Sequence, residues 1–266
     1  MTATQTLTFG DDGTSGSDVA WLFVNSHSWP GWHLEVLEAH IPDIGERPSP
    51  EEAEPHAWTP PEPRGVFAEA GFADVTYLTA AADPRIALSR DTGLIVVGAR
   101  GPGLLKSLHL GSTAEWLLVH PPAPMVIARH GGTVRDAVVC VDGSGHAERV
   151  TEVVATLPFV AQLNITVLAV EDGRTDVDSA TRVAEERLTS AGARVNVEVA
   201  TGKPTKEIER HIEKSQPDLL ALGTMGLTGL RRMRLGSTAG SVARAATCSV
   251  LVACDEAAYL QATQPD

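Results

Sequence analysis

A glycine-rich segment that occurs twice limits what this chain can fold into. In the second half it runs from Gly223 to Thr238, between the apolar run Leu219–Leu222 and a helical pattern that starts at Ala239. The order is therefore strand, glycine-rich loop and helix. Glycines let backbone N–H groups approach an anion closely, and a helix start supplies unpaired donors and the positive end of a dipole. We interpret the segment as a phosphate-binding loop, with Ser237 and Thr238 at the position of a helix N-cap.

The first half contains a second copy, which also follows an apolar run, Leu94–Val97. Both copies have the spacing G-x2-G-x9-G-S-T, and both end in the identical run Leu-Gly-Ser-Thr-Ala. Chance is a poor explanation for both agreements, so we interpret the chain as an internal duplication. The candidate binding residues of the two loops are Gly98, Gly101, Gly111, Ser112 and Thr113, and Gly223, Gly226, Gly236, Ser237 and Thr238.

Strand and helix patterns alternate through both halves. The apolar run Ala137–Val141 is typical of a strand that is covered on both faces of a parallel sheet. It is followed by apolar residues at the i, i+3, i+4, i+7 spacing of an amphipathic helix: Val150, Val153, Val154 and Leu157. Each half is predicted to contain about five strands with short connections. The expected fold class is α/β, with two tandem, doubly wound, parallel five-stranded sheets of Rossmann-like type, which bind ligands beyond the carboxyl ends of the strands.

The sequence also suggests where the two domains meet. We expect a first domain at residues 1–131 and a second at 132–266, joined by a linker at Arg129–Thr133. Within the first domain, the segment Ile41–Gly65 is rich in proline and glutamate and has no helical or strand period. We therefore expect this segment to be an exposed loop.

The charge distribution favours a small anionic ligand. The formal charge of −13, from 21 basic and 34 acidic residues, argues against a nucleic-acid or membrane partner. Basic residues nevertheless occur in both glycine loops: Arg100, Lys106, Arg231, Arg232 and Arg234. Each of the three arginines of the second loop fits a solvated loop charge as well as a phosphate contact. No apolar run approaches the length of a membrane span, and the N-terminus does not resemble a signal peptide. We expect a cytoplasmic protein.

No pattern identifies a catalytic or metal site. His27, His33 and His40 have six- and seven-residue spacings, which fit no ligand pair on one helical turn. The three cysteines form no CxxC pair and are expected to be buried thiols in a reducing compartment. The sequence has no G-x-S-x-G elbow, Walker A or HExxH motif, and neither loop has the lysine that assists phosphoryl transfer. We expect no catalytic residues and, at most, weak nucleotide hydrolysis.

The chain resembles the universal stress protein family in its tandem, two-domain form. The resemblance rests on Val141-Asp142-Gly143-Ser144 after a first strand, on Val170 at the end of the next strand, and on the two glycine loops. It covers nearly the whole chain, apart from the proline-rich loop and the last dozen residues. It implies that ATP is the ligand, with or without Mg²⁺. It further implies a protein partner of unknown identity, an intrachain pseudo-dimer through edge strands, and a homodimer as an open question.

The resemblance also assigns a part of the nucleotide to each residue. In the second half, Asp142 is implied to contact the adenosine portion and the Val170 backbone the adenine, while the loop glycines, Ser237 and Thr238 hold ribose and phosphates. In the first half the matching positions are Asp12, Ala39 and the residues of the first loop.

Two departures distinguish the first half. Ala39 stands at the position where the second half has Val170. Glu115 lies in the first turn of the phosphate-side helix, where the second half has Gly240. An acid there competes with a phosphate for the same donors, so we expect the second site to bind ATP more tightly.

Other readings of these residues remain open. The glycine loops could be tight strand-to-helix turns without a ligand, and Asp12 and Asp142 could form Asx turns that cap the next helix. At the level of function, the alternatives are a nucleotide-hydrolysing or nucleotidyl-transfer enzyme of related fold, and a ligand-free scaffold.

Overall fold

The computed structural model describes residues 5–43, 47–90, 92–100, 110–173, 176–225 and 235–254. The chain divides into two compact units. The first comprises the chain up to Leu117 together with Met125–Gly132, and the second comprises Leu118–Pro124 together with the chain from Thr133.

The first sheet is parallel except at one short edge strand. In chain order the elements are β1 (Thr6–Asp11), α1 (Ser15–Asn25), β2 (His33–Ala39), α2 (Pro50–Ala53), β3 (His56–Ala57), β4 (Asp74–Ala80), α3 (Pro84–Ala87), β5 (Leu94–Gly98), α4 (Ser112–Val119) and β6 (Met125–Ala128). The strand order is β3-β4-β2-β1-β5-β6, and only the two-residue β3 runs antiparallel to its neighbour β4.

The proline-rich segment of the first unit is more ordered than the sequence predicts. Ser49 and Glu52 form a capping box around the single-turn helix α2, in which each side chain bonds to the backbone of the other. The carbonyl of Glu52 accepts the N–H of Ala81 at 2.7 Å, which ties this turn to the end of β4. Local hydrogen bonds therefore organise a segment that has no apolar period.

The second sheet contains five parallel strands. Its elements are β7 (Asp136–Val141), α5 (Gly145–Thr156), β8 (Asn164–Glu171), α6 (Val177–Ser190), β9 (Arg194–Thr201), α7 (Pro204–Ser215), β10 (Leu219–Gly223), α8 (Ser237–Ala245) and β11 (Ser249–Ala253). The strand order is β11-β10-β7-β8-β9. The predicted α/β class with doubly wound parallel sheets is confirmed.

The order in which the chain adds strands to the second sheet reverses between β9 and β10. The chain moves outward from β7 to β8 and β9, and then crosses back so that β10 pairs on the other side of β7. Because crossovers are right-handed, the helices before and after this reversal lie on opposite faces. Accordingly α5 packs beside α6, and α7 packs beside α8. The carboxyl edge between β7 and β10 is therefore a topological switch point, the usual ligand position in such sheets.

The register places the candidate residues at one edge of the second sheet. Val139 pairs with Ala221, and Val141 pairs with Ala169. Val141 therefore lies level with Gly223, two residues beyond Ala221. The residues that follow β7, β8 and β10 all leave the sheet on the same side.

Candidate functional site

The turn after the first strand has the same construction in both units. The Asp142 carboxylate accepts the N–H of Ser144 at 3.0 Å, and the Ser144 hydroxyl caps α5 by accepting the N–H of Ala147 at 3.2 Å. In the first unit, the Asp12 carboxylate accepts the N–H of Thr14 at 3.1 Å, and Thr14 caps α1. Both aspartates thus form the Asx turn that the sequence left open, which holds a carboxylate at the carboxyl edge of each sheet.

The first glycine of each loop has a packing role. A Cβ atom at Gly223 would lie 2.6 Å from the carbonyl carbon of His146, in the first turn of α5. A Cβ atom at Gly98 would lie 2.2 Å from the carbonyl oxygen of Gly16, in the first turn of α1. Both distances are shorter than any real Cβ contact, so each strand can meet its helix only through glycine. These two glycines are required by packing, whether or not a ligand binds.

The end of each loop also closes in the same way. The N–H of Gly236 donates to the carbonyl of Thr224 at 2.7 Å, and the N–H of Gly111 donates to the carbonyl of Ala99 at 2.8 Å. The duplicated sequence therefore has a duplicated hydrogen-bond pattern.

The start of α8 differs from the expectation by one residue. Gly236 is the N-cap, with φ −70° and ψ 152°, and its carbonyl accepts the N–H of Gly240 at 2.9 Å. Ser237 and Thr238 are consequently the first two helical residues, and the prediction that they occupy the N-cap position was wrong. In the described part of the chain, no side chain caps this helix. Uncapped first-turn N–H groups at the positive end of the dipole suit an anion.

The remaining predicted residues of both units either lie at the carboxyl edges of the sheets or fall outside the residues that the structure describes. Val170 is buried near the end of β8 and pairs with Ala200, while Ala39 is half-buried at the end of β2. Ser112 and Thr113 begin α4, directly after Gly111. Several predicted residues lie outside the described residues: Gly101, Lys106, Gly226, Arg231, Arg232 and Arg234.

A side-chain link that the sequence did not reveal joins two loops of the second unit. The Ser144 hydroxyl donates to the carbonyl of Met225 at 3.3 Å, and the Thr224 hydroxyl lies 3.3 Å from His146 Nδ1. Thr224 and His146 are both buried. The turn after β7 is thereby attached to the first residues after β10, which makes this edge of the second unit a fixed platform.

A groove lies next to Asp142 in the second unit, between α5 and α6. Its volume is 300 Å³, and one face of α6 forms its far wall. The near wall and floor are formed by Val141, Asp142, Gly143, Ala147, Glu148 and Thr151. The groove, which we call the α5–α6 groove, adjoins the candidate nucleotide site without including Val170, Gly223 or Gly236.

In the first unit an arginine from the proline-rich segment reaches the equivalent edge. Arg64 Nη2 donates to Asp11 Oδ1 at 2.9 Å, Nε donates to Asp11 Oδ2, and Nη1 donates to Asp18 Oδ1 at 2.7 Å. The hydrogen bonds to Asp11, together with the one to Asp18, raise the pKa of Arg64 above its usual value. Nothing in the sequence identified Arg64, because its segment has no period that predicts a partner.

Two further findings concern the classes of site. Among the residues that the structure describes, no three or more His, Cys, Asp or Glu side chains are grouped so that they could hold a metal ion. Within the same residues, no helix is long and apolar enough to cross a membrane.

The sheets and their switch point define an α/β protein of Rossmann-like type. Comparison with family models matches residues 133–253 to the universal stress protein family. The match falls within the second unit.

Individual relatives lead to the same family. The chain is 27% identical over 168 residues to a universal stress protein of Synechocystis sp., covering 62% of this chain and 58% of that protein. It is 39% identical over 88 residues to a universal stress protein of Methanocaldococcus jannaschii, covering 33% of this chain and 49% of that one. The chain thus spans about half the length of these curated relatives.

A solved structure has the same fold across both halves of the chain. It is a universal stress protein from Archaeoglobus fulgidus, with a TM-score of 0.67 and 23% sequence identity, and the likeness covers 95% of this chain and 99% of that one.

Proposed function

We propose that this chain is a tandem universal stress protein whose second unit binds ATP. The family match over residues 133–253 supports the class. The observation that carries the ligand assignment is the carboxyl edge of the second sheet. There the Asp142 turn and the uncapped start of α8 at Gly236 follow the two strands, β7 and β10, that flank the switch point.

The chemistry of these groups fits a nucleotide. The helix start offers backbone N–H donors to phosphates, and the glycine at Gly236 puts no side chain between a phosphate and the backbone at the start of α8. The Asp142 carboxylate can accept hydrogen bonds from ribose hydroxyls, and the Val170 backbone, at the end of the neighbouring strand, can bond to the adenine. If Mg²⁺ takes part, the phosphates of ATP would supply most of its ligands, as is usual for this ion.

The role we propose is regulatory and not catalytic. Nucleotide occupancy of the second unit would change the surface presented to a protein partner. The cytoplasmic location remains a prediction from the sequence, and the pseudo-dimer within the chain remains a prediction from the family resemblance, while a homodimer and the partner's identity stay open.

The test is to purify the full chain, denature it and identify any nucleotide that is released, followed by an ATP titration of nucleotide-free protein. We expect an adenine nucleotide, with about one per chain after saturation, and no hydrolysis on the timescale of dissociation. A protein that releases no nucleotide and also fails to bind ATP in the titration would contradict the proposal. Turnover that disappears in Asp142→Ala would instead favour the nucleotide-hydrolysing enzyme.

A further inference from the structure

The duplication allows the two units to be compared position by position. Three positions beside the Asx turn correspond, because they stand at the same offsets from Asp12 and from Asp142. In the second unit all three line the α5–α6 groove: Val141, Ala147 and Glu148. In the first unit all three contact the guanidinium of Arg64: Asp11, Ser17 and Asp18.

The Arg64 side chain is held firmly in this place. It makes a two-point ion pair with Asp11, a third bond to Asp18, and a fourth to the Ser17 hydroxyl at 3.2 Å. The Tyr77 hydroxyl donates to the carbonyl of Arg64 at 2.7 Å, which fixes its backbone over β4. The side chains of Arg64 and Asp11 are only 22% and 15% exposed. Two-point arginine–carboxylate pairs that are partly shielded from water are among the stronger ionic contacts.

We infer that Arg64 is an internal occupant of the first unit, which keeps that unit from binding a nucleotide while the ion pairs with Asp11 and Asp18 are formed. The inference rests on the proposed function, since it concerns which of the two units binds ATP. The guanidinium is bonded to the residue that precedes Asp12, whereas the corresponding place beside Asp142 in the second unit is the open α5–α6 groove. Arg64 is thus a residue that restricts ATP to the second unit.

The charges explain why removal of the arginine alone is an incomplete test. Arg64→Ala leaves Asp11 and Asp18 unpaired beside the site, and both would repel a triphosphate. The opened variant is therefore the double substitution Asp11→Val with Arg64→Ala. It gives position 11 the valine that the second unit has at the corresponding position, Val141. Asp11→Asn with Arg64→Ala, which also removes both the guanidinium and the Asp11 charge but keeps the shape of residue 11, serves as a second variant if the first double substitution unfolds.

The first unit must be observed alone, so the second site is closed by Gly236→Trp. Gly236 has φ −70° and ψ 152°, which any L-residue adopts, so the tryptophan imposes no backbone strain. The matched control is Arg85→Ala, which removes another arginine of the first unit that pairs with Asp83 and not with Asp11 or Asp18. All four proteins are titrated with ATP by calorimetry, and their melting temperatures confirm folding: wild type, Gly236→Trp, Gly236→Trp with the opened pair, and Gly236→Trp with Arg85→Ala.

We expect the wild type to bind one ATP, and Gly236→Trp to bind none with or without Arg85→Ala. Adding the opened pair should restore one ATP-binding event per chain, where Gly236→Trp alone shows none. If the opened protein binds no better than Gly236→Trp while the wild type binds, the inference is wrong and the proposed function stands. Binding of ATP by Gly236→Trp with Arg64 in place would also show that the inference is wrong while the proposed function stands. If no protein in the set binds, both are wrong.

Discussion

Arg64 donates two hydrogen bonds to the single carboxylate of Asp11, which stands 53 residues earlier at the end of β1. This contact attaches the proline-rich segment to the carboxyl edge of the first sheet. At the corresponding edge of the second unit the residue is Val141, and a groove lies beside it. The two units therefore present different chemistry at corresponding positions.

The first prediction concerns the stability of the first unit. Arg64→Met leaves the poorly exposed Asp11 carboxylate without its partner, so the free energy of unfolding should fall by about 1–3 kcal/mol. All five tryptophans lie in the first half, at Trp21, Trp29, Trp32, Trp58 and Trp116, so urea unfolding followed by tryptophan fluorescence reports on this unit. Arg85→Met, which removes a more exposed pair, should shift the midpoint less. Equal shifts would show that Arg64 has no special role.

The second prediction tests the packing role of the loop glycines. Gly98→Ala places a methyl group where the carbonyl of Gly16 already lies, so it should destabilise the first unit by about 1–3 kcal/mol. Gly132→Ala is the control, because a Cβ there has no neighbour within 4 Å. Its effect should stay within about 0.5 kcal/mol. Tryptophan-detected unfolding measures both, and a Gly98→Ala protein as stable as wild type would refute the account of this glycine.

The third prediction concerns Cys140, on β7 two residues before Asp142. Cys140 is half-buried, and the removal of water from around its thiol raises the pKa above the usual range, with the charge of Asp142 acting in the same direction. The raised pKa favours the neutral thiol, so this contribution to stability is complete below the unfolded value of about 8.5 and declines as the pH rises above it. At pH 8, native Cys140 should react with a thiol reagent far more slowly than in urea, as measured by mass spectrometry of its peptide. Equal rates would contradict the prediction.

The fourth prediction separates the ligand role of Asp142 from its turn. Asp142→Ala and Asp12→Ala each remove an Asx turn of the same geometry. If Asp142 also contacts the nucleotide, only Asp142→Ala should weaken ATP binding, by roughly ten- to a hundredfold for one charge-assisted hydrogen bond. Asp142→Asn keeps an acceptor for the Ser144 N–H and controls for loss of the turn. An Asp12→Ala protein that loses as much affinity would show that the first unit takes part in ATP binding and would contradict the prediction.

The fold could be predicted from sequence because its signals are local. Apolar runs such as Ala137–Val141 and Leu219–Leu222 predicted central strands, and the structure has them at Asp136–Val141 and Leu219–Gly223. The end of a helix is less certain, since an N-cap and a first-turn residue differ only in backbone angles. The sequence pattern therefore predicted the N-cap of α8 one residue too late, because Gly236 and not Ser237 occupies it.

The parts of the site that depend on long-range contacts could not be predicted. The contact between Arg64 and Asp11 joins an aperiodic segment to a strand far away in sequence, and no pattern at either position indicates the other. The α5–α6 groove arises because small side chains such as Ala147 and Ala180 face each other across two helices. The packing role of Gly98 and Gly223 depends equally on how closely a strand meets a helix, which sequence spacing does not reveal.

The central claim is that ATP binds to the second unit, and a pair of matched substitutions tests it most directly. Gly236→Trp and Gly111→Trp place the same bulky residue at equivalent positions of the two loops, and calorimetric titration with ATP compares each protein with the wild type. We predict that Gly111→Trp keeps wild-type affinity and stoichiometry, and that Gly236→Trp loses at least about tenfold in affinity. An equal loss in both proteins, or a loss in Gly111→Trp alone, would contradict the claim.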